Sequence, residues 1–271
     1  MAYMKHYTRV MTIAGSDPSG GAGIQADIKT ISALGCFATS AIVAVVDENT
    51  VGVTGVHPVP VQFVTGQIRS ILDDIGTDAV KIGMLSSSEL IEAVRSTLDE
   101  YPDIRNIVLD PVMVATSGDP LLERNAVSTL RDVLIPRARI ITPNIPEAEI
   151  LLGRTISSQD DLPDAARELA ALGPSVFLKA GHLSDSELID IFYNAETGEM
   201  LRLSSRRVNT RNTHGTGCTL SSALASFLAL GCGMNDAARK AKDYISAAII
   251  SGADYDIGRG HGPVDHFFAW H

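Results

Sequence analysis

Six short apolar runs, each closing on a polar or glycine-bearing cluster, alternate with longer amphipathic stretches along this 271-residue chain. The clusters are Gly15-Ser16-Asp17, Asp47-Glu48-Asn49, Gly83-Met84, Asp110-Pro111, Thr142-Pro143-Asn144 and Lys179-Ala180-Gly181-His182. An apolar run too short for a helix, followed by apolar residues at helical spacing, is the pattern of βα units. Such units build a parallel sheet with right-handed crossovers, so the carboxyl ends of the strands share one edge. The six clusters then become neighbours, and a ligand cleft is expected where they gather.

Strands are predicted over 9–14, 39–46, 79–82, 106–109, 139–141 and 175–179. Helices are predicted over 22–34, 61–73, 88–98, 124–134, 147–152 and 162–172. In the first helix Ile24, Ile28, Ile31 and Leu34 fall at helical spacing and Gly35 follows the end. Between about 187 and 208 the residues alternate around a turn at 194–198, which predicts antiparallel strands. Two further helices are predicted over 219–230 and 235–251. No low-complexity linker or internal repeat divides the chain, so one α/β domain over 1–271 is expected.

The formal net charge is −10, which argues against nucleic-acid binding, since that needs a clustered basic surface. A small anionic ligand remains compatible, because a few N–H groups and one lysine suffice to hold a phosphate. Hydrophobic residues at 45% and charged residues at 20% support a substantial core. The apolar runs are interrupted well short of membrane-spanning length, and residues 1–9 lack the apolar stretch of a secretory signal. Cys36, Cys218 and Cys232 are widely spaced, without a CxxC pair or zinc-type spacing. Reduced thiols and a cytoplasmic location are therefore expected.

The most chemical stretch is Thr213-His214-Gly215-Thr216-Gly217-Cys218-Thr219-Leu220, which runs straight into an alanine-rich apolar segment. It reads as a glycine turn at a helix amino end, where unpaired N–H groups and the helix dipole favour an anion. The same field favours the thiolate of Cys218. The other reading is a tight turn before a buried cysteine acting as a small hydrophobe.

The 15–23 stretch, GSDPSGGAG, is glycine-rich but has neither the lysine of a P-loop nor GxGxxG spacing. It is either a plain βα loop or a flap that lets substrate approach closely. Asp27 follows on the opening turns of the first helix, where it can accept hydrogen bonds from a ligand or stand simply solvated. Glu48 carries the same two readings. Asn144 and Glu147, three residues apart at a proline-bounded helix start, can hold a hydrated magnesium ion or merely cap the helix. Asp110 supplies another acid at a strand end. Lys179 can contact phosphate oxygens or tie down a neighbouring loop.

Four segments together carry a resemblance: 15–27 (GSDPSGGAGIQAD), 81–85 (KIGML), 142–148 (TPNIPEA) and 209–220 (NTRNTHGTGCTL). They are similar to the hydroxymethylpyrimidine/phosphomethylpyrimidine kinases of thiamin biosynthesis. The tail from 258 to 270, with Gly262-Pro263-Val264, resembles that family's ending, so the likeness spans nearly the whole chain. It implies a ribokinase-like three-layer sandwich: a mostly parallel central sheet with helices on both faces, usually as a homodimer. It also implies two ATP- and magnesium-dependent phosphorylations, first of 4-amino-5-hydroxymethyl-2-methylpyrimidine and then of its monophosphate.

By position, the resemblance puts Gly15, Asp27, Glu48 and Met84 around the pyrimidine, with Cys218 beside it. Asn144, Lys179, Thr213 and Gly215 would serve the nucleotide, and Asp110 and Glu147 the metal. Gly215 to Cys218, Gly217 included, would form the anion hole, with Cys218 as base and His214 either relaying its proton or capping the turn. One position departs: the family's usual glutamine after the second strand is Glu48 here, and an ionised glutamate offers acceptors only. Two alternatives accompany this reading, a vitamin B6 (pyridoxine or pyridoxal) kinase on the same fold and a non-catalytic pyrimidine-binding module.

Overall fold

The computed structural model describes residues 5–113, 122–123, 125–181 and 187–271. Its strands are β1 (Arg9–Ala14), β2 (Phe37–Ile42), β3 (Ala44–Asn49), β4 (Gly52–Pro58), β5 (Ala79–Ile82), β6 (Ile107–Leu109), β7 (Ile140–Ile141), β8 (Ser175–Leu178), β9 (Glu187–Tyr193) and β10 (Met200–Arg206). Its helices are α1 (Gly23–Ala33), α2 (Val61–Asp74), α3 (Ser88–Asp99), α4 (Ala126–Thr129), α5 (Ile145–Leu152), α6 (Leu162–Ala170), α7 (Thr216–Ala229) and α8 (Met234–Gly252). Expected positions Arg124 and His182 lie outside the described residues.

Eight strands form one sheet in the order β10-β9-β8-β7-β6-β5-β1-β2. Every pairing is parallel except those of β9, which runs against both neighbours. The central strands read as nearly unbroken apolar runs because both faces are covered. Met11, Ile13, Val80 and Ile82 pack toward α2 to α6, while Val10, Ala79 and Val108 pack toward α1, α7 and α8. This is the expected three-layer α/β arrangement, and it gathers the carboxyl ends of β1, β5, β6, β7 and β8 at one edge.

Two expectations about elements need correction. Residues 39–46 are not one strand: the chain leaves the sheet at Val43, whose N–H donates to Ala14 O at 3.0 Å, and continues as β3 of a separate β3–β4 hairpin. Residues 41–46 are apolar without interruption, so the apolar run continues through the break and hides it; only the burial of both Val43 and Ala44 marks the change of phase. The helix expected over 124–134 is irregular, with α4 passing into a π-helical turn, Leu130–Leu134, and a 3-10 turn, Ile135–Arg137. Pro136 cannot donate to a helical ladder, and the regular helix fails ahead of it.

The carboxyl tail fastens the site edge. Thr50, at the hairpin tip, accepts from His261 N at 2.8 Å and from Gly260 N at 3.2 Å, and His214 N donates to Gly262 O at 3.0 Å. Farther along, His266 is buried, and burial together with nearby Lys29 holds its pKa down at about 4. The unfolded chain takes up this proton near the ordinary value of about 6.5, whereas the folded chain resists until about 4. Stability is therefore intact above the first value and falls by about 3 kcal/mol as acid carries the pH down to the second. His266→Phe should flatten that stretch of a Tm-against-pH curve. An unchanged slope would assign the acid sensitivity to another group.

Candidate active site

The turn before α7 is shaped by glycine. Gly215 caps the helix with φ at 78°, and a Cβ there would run into the carbonyl oxygen of Gly21. Only glycine satisfies both the left-handed backbone and the close approach. The Gly215 carbonyl accepts from the N–H and hydroxyl of Thr219, at 2.9 and 2.8 Å, and Thr213 accepts from Thr216 N at 3.3 Å. The N–H groups of Gly217 and Cys218 have no backbone partner outside the helix among the described residues, as expected for a helix's first turn. These first-turn amides are donors of the kind that can receive an anion.

Gly217 stands beside the acidic side of the cleft: a Cβ on it would lie 3.2 Å from both Asp110 Oδ2 and Lys179 Nζ. Lys179 Nζ donates to Asp110 Oδ1 at 3.0 Å, and Thr142 Oγ1 donates to the same oxygen at 2.9 Å. Asp110 and Glu147 raise the Lys179 pKa against the opposing effect of burial. Burial pushes the Glu147 carboxyl up to about 7; Asp110 adds to this, while Lys179 and the Asn144 and Met113 amides oppose it. Asn144 Oδ1 accepts from Glu147 N at 2.9 Å and Glu147 Oε2 accepts from Asn144 N at 2.8 Å. Of the two sequence readings for this pair, the reciprocal helix cap is what the geometry displays, and the Asn144 oxygen is committed to it.

On the opposite side of the turn, His214 Nε2 lies 2.9 Å from Asp17 Oδ2 and 3.9 Å from Glu48 Oε1. Burial works against an imidazolium here, yet the hydrogen bond and charge of Asp17, with the charge of Glu48, hold the His214 pKa above its ordinary value. Glu48 sits just past a bulge between Asp47 and Glu48 in the hairpin, a device that re-aims side chains next to sites. A Cβ on Gly15 would lie 3.0 Å from Met84 Cε and 3.7 Å from Val46 Cγ2, so Gly15, Met84 and Val46 line one small apolar wall.

Two expected roles change. Cys218 is not a ready thiolate: burial pushes its thiol up to about 11, Asp27 and Asp110 add to this, and Lys81 and the Gly23 amide only partly offset it. A helix dipole alone does not overcome two nearby carboxylates and dense surroundings. Asp27 is not ligand-facing: its side chain is 0% exposed, as is that of Lys81. Its Oδ2 accepts from Lys81 Nζ at 2.8 Å and Thr12 Oγ1 at 2.6 Å, and its Oδ1 accepts from Ser222 Oγ at 2.8 Å. It joins β1, β5, α1 and α7 beneath the cleft, because a lysine in a strand buried on both faces requires a counter-charge.

Asp17, Lys81 and Thr12 were not among the expected site residues. Lys81 left a signal, a lone charge in the run Ala79-Val80-Lys81-Ile82. A surface depression of about 560 Å³, lined by Tyr7, Arg9, Phe37 and Asp78, lies at the amino ends of β1 and β2, away from all of these groups.

The family described as phosphomethylpyrimidine kinase matches residues 17–265. The chain belongs to this family. It is 46% identical over 262 residues to the hydroxymethylpyrimidine/phosphomethylpyrimidine kinase of Salmonella typhimurium, covering 96% of this chain and 97% of that one. It is 48% identical over 261 residues to a thiamine biosynthesis bifunctional protein of Geobacter sulfurreducens, where it covers 96% of this chain but only 52% of the relative. Among solved structures, the ADP complex of Bacillus subtilis pyridoxal kinase superimposes with a TM-score of 0.87 at 37% identity, covering 96% of this chain and 98% of that one. A phosphomethylpyrimidine kinase is a phosphotransferase, chemistry that relies on fixed donors around a transferring anionic group.

Proposed function

We propose that this chain transfers the γ-phosphoryl group of ATP to the hydroxymethyl group of 4-amino-5-hydroxymethyl-2-methylpyrimidine, and then to the monophosphate so formed. The observation that carries this reading is the 213–218 turn. It presents free amides and Cys218 between the Asp110–Lys179 pair and the pocket side formed by Gly15, Glu48 and Met84. Donor and acceptor sides thus meet at one anion cradle. Full-length likeness to the Salmonella kinase supports the choice of acceptor.

In this reading Gly215 to Cys218 stabilise charge on the transferring group, and Lys179 contacts phosphate oxygens as a point charge. Asn144 and Thr213 shape the nucleotide side. Asp110 and Glu147 fit magnesium: both offer hard oxygen donors, and the Glu147 carboxyl, pushed up to about 7, stands in need of positive charge. When bound, the ion would neutralise charge on the phosphate oxygens. The small thiolate fraction of Cys218 receives the proton of the alcohol in the first step. The working form is a single kinase domain over 1–271, a cytoplasmic homodimer; exposed Val45, Val56 and Phe63 are apolar side chains suited to a contact between copies. No helix among the described residues is long and apolar enough to cross a membrane.

Mass spectrometry after incubation with ATP, magnesium and hydroxymethylpyrimidine should display mono- and diphosphate products. Modification of pyridoxine alone, in a parallel incubation, would transfer the assignment to a vitamin B6 kinase.

Glu48 bears on the same choice. A neutral aminopyrimidine edge presents a donor and an acceptor, and a carboxylate satisfies only the donor. Glu48→Gln should therefore tighten binding of hydroxymethylpyrimidine by roughly 2- to 10-fold, the worth of one added hydrogen bond, with ATP affinity nearly unchanged. Calorimetric titration of both ligands checks this. A change confined to ATP would relocate Glu48 to the nucleotide side.

A further inference from the structure

Asp17 organises more of the site than any residue the sequence singled out. Its Oδ1 accepts from Ser19 N at 2.8 Å. Its Oδ2 accepts from Ser19 Oγ at 3.0 Å, Gly21 N at 3.0 Å, Ala22 N at 2.6 Å and His214 Nε2 at 2.9 Å. Burial pushes the Asp17 carboxyl up, but the His214 hydrogen bond, the Ser19 hydroxyl and the Ala22 amide outweigh it and hold the pKa well below the ordinary range. The carboxylate is therefore ionised and only accepts, so His214 Nε2 carries the proton between them.

The bond spans 197 residues of sequence. At one end is the 15–23 loop, wrapped around the carboxylate and tied to the hairpin by Ser16 N to Ala44 O at 2.9 Å and Val46 N to Ser16 Oγ at 3.1 Å. At the other end is the residue immediately before Gly215. The two glycine backbones touch at this point: a Cβ on Gly215 would strike Gly21 O, and one on Gly21 would stand 3.0 Å from Pro263 Cβ and crowd the His214 ring.

We propose that Asp17 is a positioning residue, setting through its bond to His214 where the 215–218 amides stand relative to the loop and hairpin that hold the organic substrate. This rests on the reading of those amides as the cradle of the transferring phosphoryl group. Misplacement of reacting groups by about 1 Å costs on the order of 10²-fold in rate, so the device has kinetic leverage without touching a substrate. The cradle serves both phosphorylations, and loss of its placement slows both alike. That separates Asp17 from Cys218, whose proton-accepting role belongs to the first step.

The test uses the full chain. Asp17→Asn keeps the volume but removes the acceptor-only carboxylate. It should lower kcat by about 100-fold in both steps, with the dissociation constant of a non-hydrolysable ATP analogue nearly unchanged. In ¹⁵N-histidine spectra, the slowly exchanging imidazole Nε2–H signal of His214, assigned by its loss in His214→Leu, should disappear as well. Loss of that signal with kcat retained would overturn the proposal. Should Asp17→Asn fail to fold, His214 variants decide: Gln keeps a donor near the Nε2 position and should retain at least about tenfold more kcat than Leu in both steps. Equal rates for the two would overturn it. Gly217→Val crowds the anion position of the cradle beside Asp110 and Lys179 and leaves Asp17 and His214 unaltered. Retained kcat there would sink the cradle reading, whereas loss there with unaffected Asp17→Asn would sink only the positioning role.

Discussion

Replacing Cys218 with alanine should slow phosphorylation of the alcohol by roughly 10²–10⁴-fold, the usual contribution of a positioned general base, and slow phosphorylation of the monophosphate far less. The contrast follows from the two nucleophiles. The hydroxymethyl group must shed a proton as its oxygen bonds to phosphorus, whereas a phosphate oxygen is already anionic near neutral pH. In the proposed mechanism both steps use the same amides and the same lysine, so a variant that only disturbed the turn would slow them together. Steady-state rates with each substrate supplied separately give the comparison, and equal slowing would remove Cys218 from proton transfer.

The raised thiol adds a second readout. With its pKa pushed up to about 11, Cys218 is protonated at neutral pH. Below that value the thiolate fraction grows about tenfold for each unit of added pH. The first phosphorylation should accordingly climb as pH rises from 7 toward about 10, a range set by the raised thiol. The second should stay nearly level, and the climb should vanish in Cys218→Ala. A thiolate already formed at neutrality, as the helix dipole alone would suggest, predicts a flat profile instead.

What the sequence disclosed and what it hid follow from the range of the forces involved. The βα rhythm is a local property of apolar spacing, so strand 79–82 was placed to the residue and the edge carrying Gly15, Met84, Asp110 and Lys179 could be anticipated. The turn at 213–218 was legible because glycine before an apolar helix states its own geometry. The break at Val43 was hidden because the apolar run 41–46 passes straight through it into β3. Charge environments were hidden more deeply. The acidity of Cys218 depends on Asp27, Asp110 and Lys81, each brought close only by the sheet and by α1. Asp17 was visible only as a member of the 15–17 cluster, with no role of its own, because its partner, His214, lies near the other end of the chain. Sequence spacing conveys backbone geometry well, but it carries no measure of desolvation.

Asp27→Ala should be the most destabilising single change at this edge, by about 3–5 kcal/mol, because it leaves the Lys81 ammonium buried without a counter-charge. For a chain of this length such a loss lowers Tm on the order of 10 °C. Part of any loss could come from the small cavity left by the carboxylate, and a second substitution separates the two causes. Adding Lys81→Met to Asp27→Ala removes the stranded charge while keeping an unbranched apolar chain in its place. If the charge is responsible, the double variant regains most of the lost Tm, since well-packed apolar replacements of buried ion pairs are often neutral or better. If the cavity is responsible, Lys81→Met brings nothing back, because the space beside Thr12 and Ser222 stays empty. The same pair of proteins tests where Asp27 stands with respect to ligand. In the folded double variant, the affinity for hydroxymethylpyrimidine should match that of the unaltered chain, because neither side chain reaches the cleft; a large loss of affinity there would return Asp27 to the substrate's contacts.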